Sequence, residues 1–294
     1  MTFRLAHLSD PHIGPLPKPL TRELIGKRLT GYINWQRRLG IHNMDVLARI
    51  TADIAAHRPD HTAMTGDILN IALPTEFPLA RAWLQTLGKP HDVSFVPGNH
   101  DAYVPSAMPR ILDTFAPWCA NDGETHASFP YLRVRGEVAL IGVSSAIPTL
   151  PFLASGKVGP AQREKLETLL RETGACGLMR VVMIHHPPRR GGATPGRGLR
   201  DARAFEEIIA RAGADLILHG HNHRLLRHDM QGDGRRTPSI GVASASAVPG
   251  TPRHCAAWHL YEIERVGNAW KIEARVRGVL PGSDVIGDVE VFSV

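Results

Sequence analysis

Residues 93–101 read Val-Ser-Phe-Val-Pro-Gly-Asn-His-Asp, and this stretch decides the fold class. Its apolar start, residues 93–96, predicts a short strand, and Pro97-Gly98 predicts that the strand ends there. Asn99, His100 and Asp101 then follow at the carboxyl end of that strand. Ligands bind at the carboxyl edge of open α/β sheets. The stretch therefore predicts both a sheet and the position of a chemical site on it.

The same arrangement recurs after four other predicted strands, at 3–9, 61–65, 180–184 and 215–218. The motifs that end them are Ser9-Asp10-Pro11-His12, Thr65-Gly66-Asp67, His185-His186-Pro187-Pro188 and His219-Gly220-His221-Asn222-His223. A further strand is predicted at 140–144, and helical spacing of apolar residues predicts helices at 44–57, 79–87, 161–171 and 204–212. This alternation predicts an α/β fold with helices packed on its sheet. Side chains at one sheet edge converge, so the motifs can form one site.

Seven side chains in these motifs are candidate metal ligands. Carboxylate oxygen and imidazole nitrogen suit divalent Mn, Fe or Zn. Seven ligands exceed what one ion with an open position takes, so we expect two ions that share a carboxylate. Such a pair, ~3.5–4 Å apart, can clamp a phosphoryl group. The candidates are Asp10, His12, Asp67, Asn99, His185, His221 and His223.

Composition narrows the class of protein. The chain has 294 residues, of which 43% are hydrophobic and 21% charged, as in globular proteins. That balance excludes a disordered, collagen-like or coiled-coil protein, and no apolar run is long enough to span a bilayer. The three cysteines form no CxxC pair, and no secretory signal is recognisable at the start. We therefore expect a cytoplasmic enzyme, with peripheral contact to the inner membrane as the alternative.

The net charge of +6 is concentrated in two segments. Residues 18–38 and residues 180–203 each hold six basic side chains and one acidic one. Two basic segments suggest two loops that face a phosphate group or an acidic membrane. In the second segment, His186, Arg189, Arg190 and Arg197 are the candidate substrate contacts, because a glycine-rich loop there can close over a phosphate.

We expect one domain over residues 1–294, with a basic-aromatic insertion at about 15–42 and a β-rich C-terminal part at about 237–294. In that C-terminal part, residues 257–264 and 269–277 are predicted to pair as antiparallel strands. The insertion follows the first ligand pair, so it should lie beside the metal site. It is either a lid over a phosphodiester, a segment that touches an anionic membrane, or a helix packed on the core.

In their order and spacing, the five motifs resemble those of the calcineurin-like metallophosphoesterase superfamily. His185-His186-Pro187-Pro188 looks most like its bacterial branch of cyclic nucleotide and glycerophosphodiester phosphodiesterases. Asn70 stands where purple acid phosphatases have a tyrosine, and Ile68-Leu69-Asn70 stands where protein phosphatases have Asp-Arg-Gly. The resemblance implies a central β-sandwich flanked by helices, with a dinuclear site at the strand ends.

The resemblance also implies individual roles. One ion would take Asp10, His12 and His223, the other would take Asn99, His185 and His221, and Asp67 would bridge them. His100 would lie near the leaving group as a catalytic residue that is not a ligand, and Asp101 would orient it.

The expected activity is hydrolysis of a nucleotide or small phosphodiester by a hydroxide that bridges two Mn, Fe or Zn ions. The alternatives are a membrane-associated pyrophosphohydrolase of a lipid-linked nucleotide, similar to UDP-diacylglucosamine hydrolases, and, less favoured, a DNA nuclease. Beyond the phosphoester substrate no protein partner is expected, and a homodimer is allowed.

Overall fold

The fold is built on two mixed β-sheets, seen in a computed structural model that describes residues 2–38, 40–248, 255–280 and 282–294. Within these residues the strands are β1 (Phe3–Leu8), β2 (His61–Met64), β3 (Val93–Phe95), β4 (Tyr131–Arg135), β5 (Val138–Gly142), β6 (Met179–Met183), β7 (Leu216–His219), β8 (Leu226–Gln231), β9 (Arg236–Gly241), β10 (Ala257–Val266), β11 (Ala269–Val279) and β12 (Ile286–Ser293). The first sheet has the order β12-β11-β10-β1-β2-β3, and the second has the order β4-β5-β6-β7-β9-β8.

Helices cover the outer faces of these sheets. They are α1 (Lys27–Arg37), α2 (Met44–His57), α3 (Glu76–Thr86), α4 (Ala107–Cys119), α5 (Pro160–Ala175) and α6 (Ala202–Ala212), preceded by a 3₁₀ helix at Thr21–Leu24. The N-cap of α2 is Asn43, whose side chain accepts hydrogen bonds from the amides of Asp45 and Val46. Such a cap satisfies donors that the first helical turn leaves free.

Alternating side chains of the second sheet show how the layers pack. Val181 and Met183 of β6 point into the core shared with the first sheet. Val182 of the same strand points the other way, into a cluster with Leu166 of α5 and Phe205 of α6. Because successive strand residues face opposite sides, one strand contributes to two apolar layers. The predicted α/β class and the β-sandwich flanked by helices are confirmed.

The predicted ends of the helices and strands lie within four residues of the observed ends. The predicted antiparallel pair forms β10 and β11, and β10 also pairs with β1 in register Leu5↔Tyr261. The C-terminal segment therefore completes the sheet that begins the chain. Among the described residues, no helix is both long and apolar enough to cross a bilayer.

The insertion at 15–42 folds as the 3₁₀ helix followed by α1, and α1 packs across one rim of the site. The Arg28 Nε donates to the carbonyl of Ile71 at 3.2 Å. On the other side, Lys27 Nζ donates to Thr149 Oγ1 at 2.7 Å and to the carbonyl of Leu153 at 3.2 Å. We call residues 146–154, which receive Lys27, the rim loop.

Candidate metal centre

The predicted ligands stand on strained backbone at the strand ends. Non-glycine residues rarely adopt positive φ, and where they do they mark functional sites. Eight such residues occur in the described chain, and five of them are predicted ligands. Those five are Asp10 (φ 55°), His12 (φ 42°), Asp67 (φ 56°), His221 (φ 70°) and His223 (φ 54°). The strained turns aim these side chains into one space instead of along their strands.

Asp10, His12 and His223 form the first half of the site, with one potential ligand atom from each within 4.8 Å of the others. The His223 Nε2 lies 3.1 Å from Asp10 Oδ1. The His12 Nδ1 donates to the carbonyl of Leu69 at 3.1 Å, which leaves its Nε2 free to bind a metal.

Asn99, His185 and His221 form the second half. The Oδ1 of Asn99 lies 2.9 Å from His221 Nδ1 and 3.3 Å from His185 Nε2. These two ring nitrogens are themselves 3.3 Å apart. The other nitrogen of His185, Nδ1, donates to the carbonyl of Thr65 at 2.7 Å and so fixes the ring with Nε2 facing inward.

Asp67 joins the two halves. Its Oδ2 lies 3.3 Å from His185 Nε2 in the second half. It also forms close groups with His12 and His100 on one side, and with Asp10 and His185 on the other. Asp67 thus lies close to His12 and Asp10 of the first half and to His185 of the second, which is where a shared ligand would stand.

The donor set fits divalent cations. Asp10 Oδ1 is buried and has no hydrogen-bond donor in suitable geometry, so a lone pair is left unsatisfied. Although burial opposes it, the carboxylate of Asp67 raises the pKa of His185 to about 9. The carboxylates therefore attract positive charge to this buried space, and a metal ion satisfies that demand through the same oxygen and nitrogen atoms.

His100 lies beside the first half, with its ring 4.7 Å from that of His12. Its Nδ1 donates to the carbonyl of Asn70 at 2.5 Å, so Nε2 is the nitrogen left for substrate. The side chain of Asn70 donates to the carbonyl of Ile13 at 2.7 Å. Asn70 thus holds a neighbouring loop through its side chain and the His100 ring through its backbone carbonyl.

Asp101, which the resemblance expects to orient His100, contacts backbone amides in the structure. Its Oδ2 accepts from the amides of Asp67 at 2.9 Å and Gly98 at 2.7 Å, and its Oδ1 accepts from the amide of Leu69 at 2.9 Å. Burial raises the pKa of Asp101, and the neighbouring carboxylate of Asp67 adds to the rise. The carboxyl group thus fixes the backbone of two ligand-bearing turns.

His186 is also placed differently from the expectation that it contacts substrate. It is fully buried, its Nε2 donates to the carbonyl of Ala154 at 3.0 Å, and its Nδ1 accepts from Ser145 Oγ at 2.8 Å. With both nitrogens engaged, the ring ties the base of the rim loop to the strand end that carries His185. A strand-end pattern alone cannot separate such a residue from a ligand.

The three candidate arginines lie on the outer part of their loop. Arg190 pairs with Glu206 of α6, Nε to Oε2 at 2.8 Å, so its guanidinium turns toward that helix and away from the ligands. The Arg189 Nη1 reaches the carbonyl of Arg190 at 3.4 Å. Arg197 is exposed. The structure therefore brings none of the three into contact with the seven predicted ligands.

Sequence reasoning missed three residues that border the site. The ring of His42 lies 4.4 Å from that of His12, and its Nδ1 lies 2.7 Å from Ser246 Oγ. Burial lowers the pKa of His42 to about 3. Tyr103 lies 5.7 Å from the His100 ring, and Lys27 Nζ lies 4.4 Å above the Tyr103 ring. His42 and Lys27 lie far along the chain from any strand end, and Tyr103 comes two residues after the motif that ends β3, so the strand-end signal did not include them.

A β-sandwich flanked by helices, with clustered Asp, Asn and His side chains at its strand ends, fits the class of metal-dependent phosphoester hydrolases. The chain belongs to the calcineurin-like phosphoesterase family, whose sequence profile matches residues 3–225. It is 27% identical over 228 residues to the glycerophosphodiester phosphodiesterase GpdQ of Enterobacter lignolyticus, covering 75% of this chain and 71% of that protein.

Solved structures share the fold. A dimetal phosphatase from Danio rerio superposes with a TM-score of 0.65 at 14% identity, over 99% of this chain and 98% of that one. A purple acid phosphatase from yellow lupin seeds superposes with a TM-score of 0.56 at 12% identity, over 100% of this chain and 53% of that one.

Proposed function

We propose that this enzyme is a dinuclear phosphodiesterase acting on a nucleotide or another small phosphodiester. The observation that carries the proposal is the convergence of two ligand groups on a shared aspartate, Asp67. Ions of the Mn, Fe or Zn type suit the oxygen and nitrogen donors. The likeness to the diesterase GpdQ supports a diester over a monoester.

The ligand roles follow from position. Asp10, His12 and His223 would hold one ion, Asn99, His185 and His221 would hold the other, and Asp67 would touch both. Two bound ions would lower the pKa of a water nucleophile toward neutral pH and offset the negative charge on the phosphoryl oxygens. Since these ligands come from both sheets, we also propose that residues 1–294 act as one catalytic domain.

His100 is proposed to protonate or hydrogen-bond the leaving oxygen. Because its Nδ1 donates to the carbonyl of Asn70, a neutral ring presents Nε2 as an acceptor. Donation to a leaving group therefore requires the imidazolium form. Burial lowers the pKa of His100, whereas Asp67 and the Asn70 carbonyl raise it. An anionic substrate beside the ring further favours the protonated form.

The test is hydrolysis by protein reconstituted with Mn, Fe or Zn, offered a panel of substrates. The panel holds a glycerophosphodiester, a cyclic nucleotide, UDP-diacylglucosamine and single-stranded DNA. Selective turnover of the first two supports the proposal. Turnover of UDP-diacylglucosamine alone favours the lipid-linked pyrophosphohydrolase, and turnover of DNA alone favours the nuclease.

A matched pair of histidine variants tests whether loss of turnover and metal is specific to the proposed ligands. His221→Ala removes a proposed ligand and should abolish turnover and lower metal content. His126→Ala removes an exposed histidine outside the site and should change neither. If both variants retain full metal content and turnover, the assignment of the second half is wrong.

A further inference from the structure

Three large apolar side chains are the most exposed of their kind in the described chain. They are Phe152 at 88%, Ile25 at 80% and Leu150 at 73% of their full accessible surface. Two belong to the rim loop and one precedes α1. Single exposed apolar residues are normal, but a cluster of them marks an interaction site.

The three side chains belong to segments that touch each other. Ile25 lies two residues before Lys27, whose ammonium group holds Thr149 and the carbonyl of Leu153. Leu150 and Phe152 lie between those two contacts in the rim loop. We call Ile25, Leu150 and Phe152 the apolar tip.

The exposure of the apolar tip comes from an ordered turn. The Thr149 Oγ1 donates to the carbonyl of Leu153 at 2.6 Å, and the amide of Leu153 donates to the carbonyl of Leu150 at 3.2 Å. His186 holds the base of the loop through Ala154. Phe152 has a φ of +67°, a conformation that an aromatic residue rarely adopts. The backbone of the rim loop is therefore strained at the residue whose ring is exposed to solvent.

Basic side chains accompany the apolar tip in the insertion. Lys18, Arg22, Arg37 and Arg38 are exposed. None of the four has an ion-pair partner within the described residues, although the fold forms ion pairs at many other arginines. The insertion thus carries unpaired cations on the same segment as the exposed Ile25. This combination matches the interface of a bilayer with anionic lipids, where apolar side chains insert and cations meet headgroups.

The apolar tip also lies next to the site. The Lys27 Nζ is 4.4 Å from the centre of the Tyr103 ring, which is 5.7 Å from that of His100. A bilayer that receives the apolar tip would bring its headgroup layer to the mouth of the metal centre.

We propose that the apolar tip and the cations of the insertion dock this enzyme onto an anionic bilayer, so that the site faces phosphoesters at headgroup depth. Docking itself needs no catalysis, and only the orientation of the site toward headgroups rests on the proposed phosphodiesterase function.

The experiment is sedimentation of the full chain with vesicles of phosphatidylglycerol or of phosphatidylcholine. We expect the wild type to bind the anionic vesicles and to be released as salt rises, because exposed charges are screened within ~10 Å at 0.1 M. Leu150→Ser with Phe152→Ser should weaken binding by about tenfold or more, since two side chains lose apolar burial. Exposed residues tolerate such changes, and equal melting temperatures verify the fold.

The matched control is Val266→Ser. Val266 is 58% exposed and lies in the β10–β11 hairpin, beyond the amino end of β1 and so opposite the site. It should bind vesicles as the wild type does. Absence of wild-type binding, or equal binding by the tip variant and the wild type, overturns the proposal.

Two further measurements distinguish membrane docking from dimerisation and from the catalytic proposal. If the tip variant instead breaks a dimer in analytical ultracentrifugation while the wild type ignores vesicles, a second copy covers the apolar tip and membrane docking is rejected. Hydrolysis of bis-p-nitrophenyl phosphate, a soluble diester, tests the catalytic proposal alone. Vesicle binding without hydrolysis would refute the phosphodiesterase and leave docking supported.

Discussion

Replacement of Gly31 by alanine tests whether α1 is docked against the site as described. Gly31 is the buried residue of α1, and a Cβ there would lie 2.7 Å from Tyr103 Cζ and 2.9 Å from Ile71 Cγ2. Both distances are too short for carbon atoms. Alanine in a helix is favoured over glycine by ~1 kcal/mol, whereas overpacking costs ~1–3 kcal/mol. The net effect should be a loss of about 1 kcal/mol, or local release of α1.

Urea unfolding measures the global free energy, and hydrogen exchange of the α1 amides measures local release. The control is Asn34→Ala, on the exposed side of the same helix. It should stabilise the protein by about 0.5 kcal/mol, because alanine has the higher helix propensity. Kinetics on a soluble diester should show a raised KM for Gly31→Ala, because Lys27 and Tyr103 shift with the helix. Stabilisation by about 1 kcal/mol, with unchanged exchange and KM, would refute the described packing.

Further predictions concern the metal centre and its supports. Asp67→Ala should cost more bound metal than Asp10→Ala by elemental analysis, because only Asp67 is proposed to hold both ions. His100→Ala should keep its metal and lose ~10²–10⁴ in kcat, with a smaller loss for a nitrophenyl leaving group that needs little protonation. Asp101→Asn should lower the free energy of unfolding by ~1–3 kcal/mol, since an amide nitrogen would face backbone amides. Chelation should lower the melting temperature and added Mn should restore it. Burial lowers the pKa of Lys27 from 10.5 to about 8. Between these two pH values the unfolded chain binds more protons than the folded one, so the contribution of Lys27 to the free energy of unfolding rises with pH. Lys27→Met should therefore flatten the rise of the urea midpoint with pH.

The strand ends could be predicted from sequence because local patterns specify them. A short apolar strand followed by glycine or proline marks its own end, and a polar motif there has few other reasons to exist. Long-range contacts carry no such local signal. The position of His42 against His12 depends on the path of the whole insertion, and the pairing of His186 with Ser145 and Ala154 depends on the rim loop.

Several elements were absent from the prediction for physical reasons. The helix α4 contains Pro109 and Pro117, and proline normally ends a helical pattern. The strand β8 is an edge strand with mostly exposed, polar side chains, so it lacks the apolar signature of a buried strand. The order of the sheets was not predictable either, because β1 pairs with a segment more than 250 residues away in the chain.

That last pairing has a consequence for synthesis of the protein. The strand β1 leaves the ribosome about 250 residues before its neighbour β10, which begins at Ala257. Until then one side of β1 presents unpaired backbone groups, a template for association with other chains. The nascent chain therefore carries an open strand edge until β10 has been made, and this edge is a site that chaperones would have to cover during that interval.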